Sequence, residues 1–176
     1  MNYLFIGKMV DTHGIKGEVR ISLKDFFIYD INKNTFMSYL EVIDLLFKNN
    51  KYIYIGNDKK KFKITNYRHH KIYEMLTFEG ITNINDILMF KGQKCFIDGN
   101  ILEKTKVLLS SLIGFTVAWN GKDCGKIVDY QNNNGNILFE IKKDKKYFIP
   151  VNSNFINNID LNNKLVNVRN IEGLII

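Results

Sequence analysis

From Glu18 to Lys24 every second residue is apolar. Val19, Ile21 and Leu23 fall on one side of an extended chain, and Glu18, Arg20, Ser22 and Lys24 fall on the other. That is the pattern of a strand with one face in a core and one in water. It recurs along most of the chain, cut into short pieces by turn-forming residues. Leu4 to Val10 is apolar on both sides and reads as an interior strand. Further strands are expected over 41–47, 51–56, 62–68, 72–79 and 94–98, with GNDKKK (56–61) as a turn. In the second half FTVAW (115–119) sets Phe115, Val117 and Trp119 on one face, and Asn120-Gly121 predicts a two-residue hairpin turn. A second Asn-Gly follows, then ILFEIK, KYFIPV and KLVNV. Short strands at this spacing imply a sandwich or a barrel, and closure into a barrel removes the free edges that invite aggregation.

One short helix is expected over 83–90, with Asn83 as its cap, Asp86 three residues on, and Gly92 closing it. After Asp98 the texture changes to a weakly patterned, charged stretch. The chain therefore reads as all-β, with two small barrels in tandem. The first spans 1–98, a linker runs over 99–109, and the second spans 110–176.

Composition narrows what such barrels could do. The net charge is +7, shared as +4 over 1–98 and +3 over 99–176, so the excess does not sit in one tail. A surface basic throughout suits a polyanionic partner, although a base-composition bias toward Lys and Asn would give the same excess. Cys95 and Cys124 are far apart and form no paired motif, so neither a zinc site nor a disulfide framework is expected. A reduced, cytoplasmic chain is the simplest expectation. The N-terminus lacks a basic lead, and no run approaches the roughly 20 apolar residues of a membrane span.

Catalytic chemistry finds little footing. His13 sits beside Gly14 and Gly17, yet Asp11-Thr12-His13 offers no nucleophile in a workable setting. A structural role in the turn is the simpler reading. The loop lacks the P-loop pattern, and GxGxxG is absent. Lys16 at the tip and Arg20 beyond it could contact phosphates or be merely solvated. His69 and His70 are adjacent, so on a strand they point to opposite faces and could hardly share a metal. Two lysine runs, Lys59-Lys60-Lys61 with Lys63 and Lys142-Lys143 with Lys145-Lys146, lie at expected hairpin tips. They suit RNA backbone contact or simple solubility.

The stretch GKMVDTHGIKGEVRI (7–21) resembles the opening of the RimM family of bacterial ribosome maturation factors. The family pattern there is Gly-Lys-Ile/Val, a short gap, then His-Gly-Leu/Ile-Lys-Gly-Glu-Val-Arg/Lys. Gly7, Lys8, His13, Gly14, Lys16, Gly17, Glu18, Val19 and Arg20 all match. Residues 67–97 are also similar, with Arg68, Gly80, Asp86 and Gly92 in place. The second half resembles a PRC-barrel, through Leu112-Ile113-Gly114, Gly125-Lys126-Ile127-Val128, Ile149-Pro150, Asp160 and Glu172-Gly173-Leu174.

The resemblance implies a six-stranded barrel like those of translation factors, followed by a PRC-barrel. It implies binding to pre-30S particles at the head of the small ribosomal subunit. The partners there would be the head protein numbered nineteen and small-subunit precursor rRNA. It further implies assistance to head assembly and 16S rRNA processing, by a monomer, without catalysis or cofactor. Carried onto this chain, the rRNA-facing set is Lys8, His13, Gly14, Lys16, Gly17, Arg20 and Arg68. The protein-facing set is Val107, Leu108 and Leu109. That second set departs from the family, where a Tyr-Tyr pair often precedes the Leu-Ile-Gly of the PRC-barrel. Ser110-Ser111 also replaces the usual acidic residue. Other classes remain open: a general basic RNA-binding module, a flavin-reductase-like barrel enzyme, and a membrane scaffold, the last lacking a span.

Overall fold

A computed structural model describes residues 1–24, 27–102 and 105–175. In chain order the strands are β1 Tyr3–His13, β2 Glu18–Leu23, β3 Ile28–Asp30, β4 Thr35–Phe36, β5 Tyr52–Ile55, β6 Lys60–His70, β7 Tyr73–Phe78, β8 Lys94–Asp98, β9 Lys106–Leu108, β10 Thr116–Trp119, β11 Lys122–Asn133, β12 Asn136–Lys142, β13 Lys146–Pro150, β14 Ile156–Asp160 and β15 Leu165–Val168. The protein is all-β with a single short α-helix, α1, at Tyr39–Ile43. They form two compact units. One holds residues 1–26 and 38–102, the other residues 27–37 and 103–176.

The first unit is a closed barrel of six strands in the order β1-β2-β7-β6-β5-β8. Its period-two strands do what their patterns require. Val19 and Ile21, Ile53 and Ile55, and Cys95 and Ile97 are all fully buried, and the residues between them on β2 and β8 are less so. The expected strand over 41–47 is instead helical. Ser38 and Glu41 form a capping box, α1 follows, and a π-helical turn continues over Asp44–Lys48. Val42, Ile43, Leu45, Leu46 and Phe47 are buried, and the pairs 42–43 and 45–46 recur at helical spacing. The expected helix over 83–90 resolves into two 3-10 turns, Ile84–Asp86 and Leu88–Phe90. Its cap is as expected. The Asn83 side chain accepts the Asn85 N–H at 2.9 Å, and the Asp86 carboxylate accepts the Asn83 N–H at 3.3 Å.

The second unit has a six-stranded sheet, β13-β12-β11-β10-β15-β14, and a three-stranded sheet, β4-β3-β9. β10 and β15 run parallel; the remaining pairs in both sheets are antiparallel. The Asn120-Gly121 turn forms as its residues dictate. Both take positive φ, +51° and +75°, and Trp119 pairs with Lys122 across it. The core gathers Tyr29, Leu112, Val117, Phe139, Ile149 and Val166 with their neighbours.

Two units follow one another along the chain as expected, with one exchange between them. Residues 27–37 leave the first unit and supply β3 and β4 to the second. The stretch expected as a linker, 99–109, contains a 3-10 turn at Gly99–Ile101 and strand β9; its residues 103 and 104 lie outside the described ones. β9 pairs with β3 through Ile28–Leu108 and Tyr29–Val107. Tyr29 is fully buried, and burial pushes its hydroxyl pKa up to about 12. Its OH donates to the Asn34 side chain at 2.7 Å.

Candidate nucleic-acid interface

The loop from His13 to Glu18 closes the β1–β2 hairpin, with those two residues paired at its base. It is held from outside as well. Ile84 N–H donates to the Ile15 carbonyl at 3.1 Å, tying the loop to the Asn83-capped turn. Gly17 sits at that junction with φ +80°. A Cβ there would lie 2.7 Å from Ile81 Cγ2 and 3.1 Å from the Asn83 carbonyl oxygen. Glycine is required by the backbone conformation and by the close approach together. Gly14, with φ +66°, has open space where its Cβ would be. Lys16 and Ile15 are exposed at the tip.

Beside this loop the barrel gathers a basic cluster. Arg20 Nη2 lies 2.8 Å from His13 Nδ1. A guanidinium can only donate, so His13 accepts at Nδ1 and is neutral in this arrangement. The His13 ring is 6.1 Å from that of His70. Arg20 on β2 and Arg68 on β6 both pair with Met75 of β7, which sets them two strand spacings apart on one face, about 10 Å. Arg68 donates from Nε and Nη2 to the Glu18 carboxylate, at 2.9 and 2.8 Å, and that bond raises its pKa. Desolvation, then the charges of Arg68 and Lys71, lowers the His70 pKa. Arg20 keeps one buried donor, Nε–H, without a partner. The cluster is suited to an anion and poorly suited to proton transfer. Glu18, paired with His13 across the hairpin, is taken by Arg68, and Asp11 is engaged elsewhere. It accepts the Thr12 N–H and pairs with Lys91 at 3.0 Å, both of which lower its pKa.

His69 and His70 diverge as their adjacency on a strand requires. His69 Nδ1 lies 2.7 Å from the buried Glu74 carboxylate, which also accepts the Tyr39 hydroxyl. Burial, followed by the hydrogen bond to Glu74, raises the Tyr39 pKa. This trio joins α1 to β6 and β7, and the strand assigned over 41–47 hid it. Burial pushes the Cys95 thiol up to about 12, so it is a poor nucleophile. Among the described residues no group of three or more His, Cys, Asp or Glu side chains is placed to hold a metal ion. No helix among them is long and apolar enough to cross a membrane.

The sequence-derived rRNA set is thus divided. His13, Gly14, Lys16, Gly17, Arg20 and Arg68 share one end of the barrel. Lys8 does not join them. It pairs with Ser22 and Lys94, five residues up β1 from His13, or roughly 16 Å. The three residues expected to make the protein contact, Val107, Leu108 and Leu109, differ in burial. Val107 and Leu109 point into the core of the second unit, at 8% and 1% exposure, because alternate residues of β9 and its continuation face inward. Only Leu108 is turned away from that core.

A closed six-stranded barrel with a basic cluster beside a braced glycine loop, followed by a second β unit of two sheets, defines a protein of two tandem barrel-like domains. The family comparisons agree with that architecture unit by unit. Residues 35–102 match the RimM N-terminal domain and residues 109–174 the RimM PRC barrel domain. Curated relatives called ribosome maturation factor RimM, from Staphylococcus haemolyticus and Staphylococcus aureus, are 29% identical over 177 residues. Those alignments cover 97% of this chain and 97% of each relative. A Pseudomonas aeruginosa crystal structure, described as a 16S ribosomal RNA processing protein RimM, is 19% identical with a TM-score of 0.44; the match covers 95% of this chain and 96% of that one. The chain belongs to the RimM family of ribosome maturation factors.

Proposed function

We propose that this protein binds the immature 30S subunit in the cytoplasm and assists assembly of its head and processing of 16S rRNA. It does so as a monomer, by binding and not by catalysis. The observation that carries this reading is the convergence of His13, Arg20, Arg68 and His70 beside the exposed Lys16, on a loop braced by Asn83 and Ile84. With Arg68 paired to Glu18, Arg20, held against the His13 imidazole, and Lys16 are the cations of this end that would contact phosphates, Arg20 at low ordering cost. The head protein numbered nineteen is the proposed protein partner of the second unit. Leu108 is the contact there, since Val107 and Leu109 are committed to the core.

The test is co-sedimentation with small-subunit precursors and with mature 30S subunits. The full chain should travel with precursors only. A Lys16→Ala, Arg20→Gln double variant should lose about tenfold in precursor affinity, as two solvent-exposed charge contacts of about 0.2–1 kcal/mol each would give. Equal affinity of the variant would remove the loop from the interface. A Leu108→Ser variant should weaken capture of the isolated head protein and leave RNA binding unchanged. Binding to any RNA alike, with a steep salt slope and no preference for precursors, would instead make the chain a general basic RNA-binding module.

A further inference from the structure

We infer that a second face of the first barrel, formed by β1, β8, β5 and the start of β6, is a stacking platform for unpaired RNA bases. The inference rests on the reading of the protein as an rRNA-contacting factor, but on a different surface from the His13 loop.

Its basis is register. Phe5 of β1 pairs with Phe96 of β8, Phe96 with Tyr54 of β5, and Tyr54 with Lys61 of β6. Four neighbouring strands therefore contribute one continuous row, and paired residues point to the same side. That side faces out of the barrel, because the residues alternating with the row, Cys95, Ile97, Ile53 and Ile55, are fully buried; within the row Tyr54 is packed under its neighbours at 5% exposure, so the rings open to a base are the partly exposed Phe5 and Phe96 and the exposed Tyr3. Tyr3, 40% exposed, extends the row by a ring 5.0 Å from Tyr54 and 6.5 Å from Phe96. Phe5 and Phe96 are 5.7 Å apart.

Lysines frame these rings closely. Lys59 Nζ stands 3.7 Å from the centre of Phe96, Lys61 Nζ 3.9 Å from that of Tyr52, and Lys94 Nζ 5.8 Å from that of Phe5. Lys59 is held by its turn, with φ +53° and its N–H donating to the Gly56 carbonyl at 3.2 Å. Lys8 pairs with Lys94 at the same edge. Among the described residues none of Lys8, Lys59, Lys61 and Lys94 has a carboxylate partner. Asp98, at the Tyr3 end of the row, is turned to accept the Asn100 N–H.

Rings beside ammonium groups that no carboxylate neutralises are what a single strand needs. Bases stack on rings and phosphates take the lysines, with cation–π contacts holding Lys59, Lys61 and Lys94 in place beforehand. A duplex hides its base faces and could use only the lysines. An acidic peptide could use the lysines but offers no stacking partners. The same face accounts for Lys8, which the loop cluster leaves out, and for Lys59 and Lys61 of the lysine run; Lys60, paired with Ile55, belongs to the other side.

The test uses the full chain with a ten-nucleotide oligouridylate, the corresponding RNA duplex and polyglutamate, each over a salt series. Single-stranded RNA should bind tightest. A Phe5→Leu, Phe96→Leu double variant, checked for an unchanged melting profile, should lose about tenfold or more for the single strand with its salt slope unaltered. A Lys61→Gln, Lys94→Gln variant should flatten that slope by about 0.7 per lysine. Equal binding of duplex and single strand, polyglutamate competing as well as RNA, or no effect of the leucine substitutions would overturn the proposal. Retention of precursor binding in that case would leave the loop assignment standing. Loss of precursor binding by the unaltered chain would count against the assembly-factor reading itself.

Discussion

Arg68 reaches across β7 to clamp the Glu18 carboxylate with two hydrogen bonds, at 2.9 and 2.8 Å. The pair links the β1–β2 loop to β6, and it neutralises one of the two arginines that flank Met75. Arg20 has no such carboxylate; it faces an imidazole. One arginine of the cluster is therefore structural in the free protein and the other is available to a partner.

Glu18→Gln should release Arg68 for RNA. The expected outcome is tighter binding to precursor rRNA, with a salt slope steeper by about one phosphate contact, 0.7 to 0.9. Both side chains are accessible to water, at 43% and 18% exposure, so the stability of the barrel should change little. A filter-binding salt series on the variant, with a urea melt beside it, checks both halves.

Gly17 and Gly14 should respond differently to the same change. Gly14→Ala meets only the cost of a left-handed backbone, about 1 kcal/mol. Gly17→Ala adds the approach to Ile81 and the Asn83 carbonyl and should cost about 2–3 kcal/mol. Urea unfolding of the two variants side by side decides it. Equal losses would mean the loop is not braced against the Asn83 turn.

Leu109→Ala should destabilise the second unit by about 2–5 kcal/mol, as a fully buried leucine does. Leu108→Ala should cost about 1 kcal/mol or less, since it lies outside that core. If the two midpoints shifted alike, Leu108 would be a packing residue and no candidate for protein contact.

His70 should titrate below the ordinary imidazole value of 6.5, because desolvation and then neighbouring positive charge disfavour its protonated form. The folded protein binds that proton less readily than the unfolded chain. The stability tied to neutral His70 is thus fully present above pH 6.5 and declines as pH falls through its folded pKa. Arg68→Gln should move the midpoint only part of the way back, desolvation being the larger cause. Ring-proton NMR across pH 4 to 8 reads this directly; a midpoint at or above 6.5 would contradict the clustering of cations around it.

Much of this was open to inspection in the sequence, and the exceptions have a common origin. Alternation located the strands of the barrel, Asn120-Gly121 its hairpin, and Asn83 with Asp86 the capped turn. These are signals carried within a few residues. The stretch 41–47 is ambiguous because EVIDLLF is a short, mostly apolar run whose length suits a buried strand, although its apolar pairs at 42–43 and 45–46 have helical spacing; Ser38 and Glu41, a capping box, are the cue that favours the helix. The pairing of β3 with β9 joins residues nearly eighty positions apart and leaves no local trace. The inward turn of Val107 and Leu109 depends on that pairing. The Phe5–Phe96–Tyr54–Lys61 row likewise exists only once four strands are in register, although each ring and each lysine was visible singly.

The loan of residues 27–37 to the second unit has a consequence for synthesis. The chain passes between the two units three times, so neither is a continuous stretch that could be released and folded whole. β3 emerges early and must wait unpaired until β9 is made, a delay of several seconds at about 5–20 residues per second. The first barrel can close around this waiting segment, since β5 to β8 all precede β9. The second unit cannot finish its smaller sheet until the loop between β3 and β9 has been drawn shut, and by then that loop contains most of a folded barrel. A severed C-terminal half would lack the strand that β9 pairs with. The molecule is therefore two cores but one folding commitment, and it is not two modules that evolution or an experimenter could freely exchange.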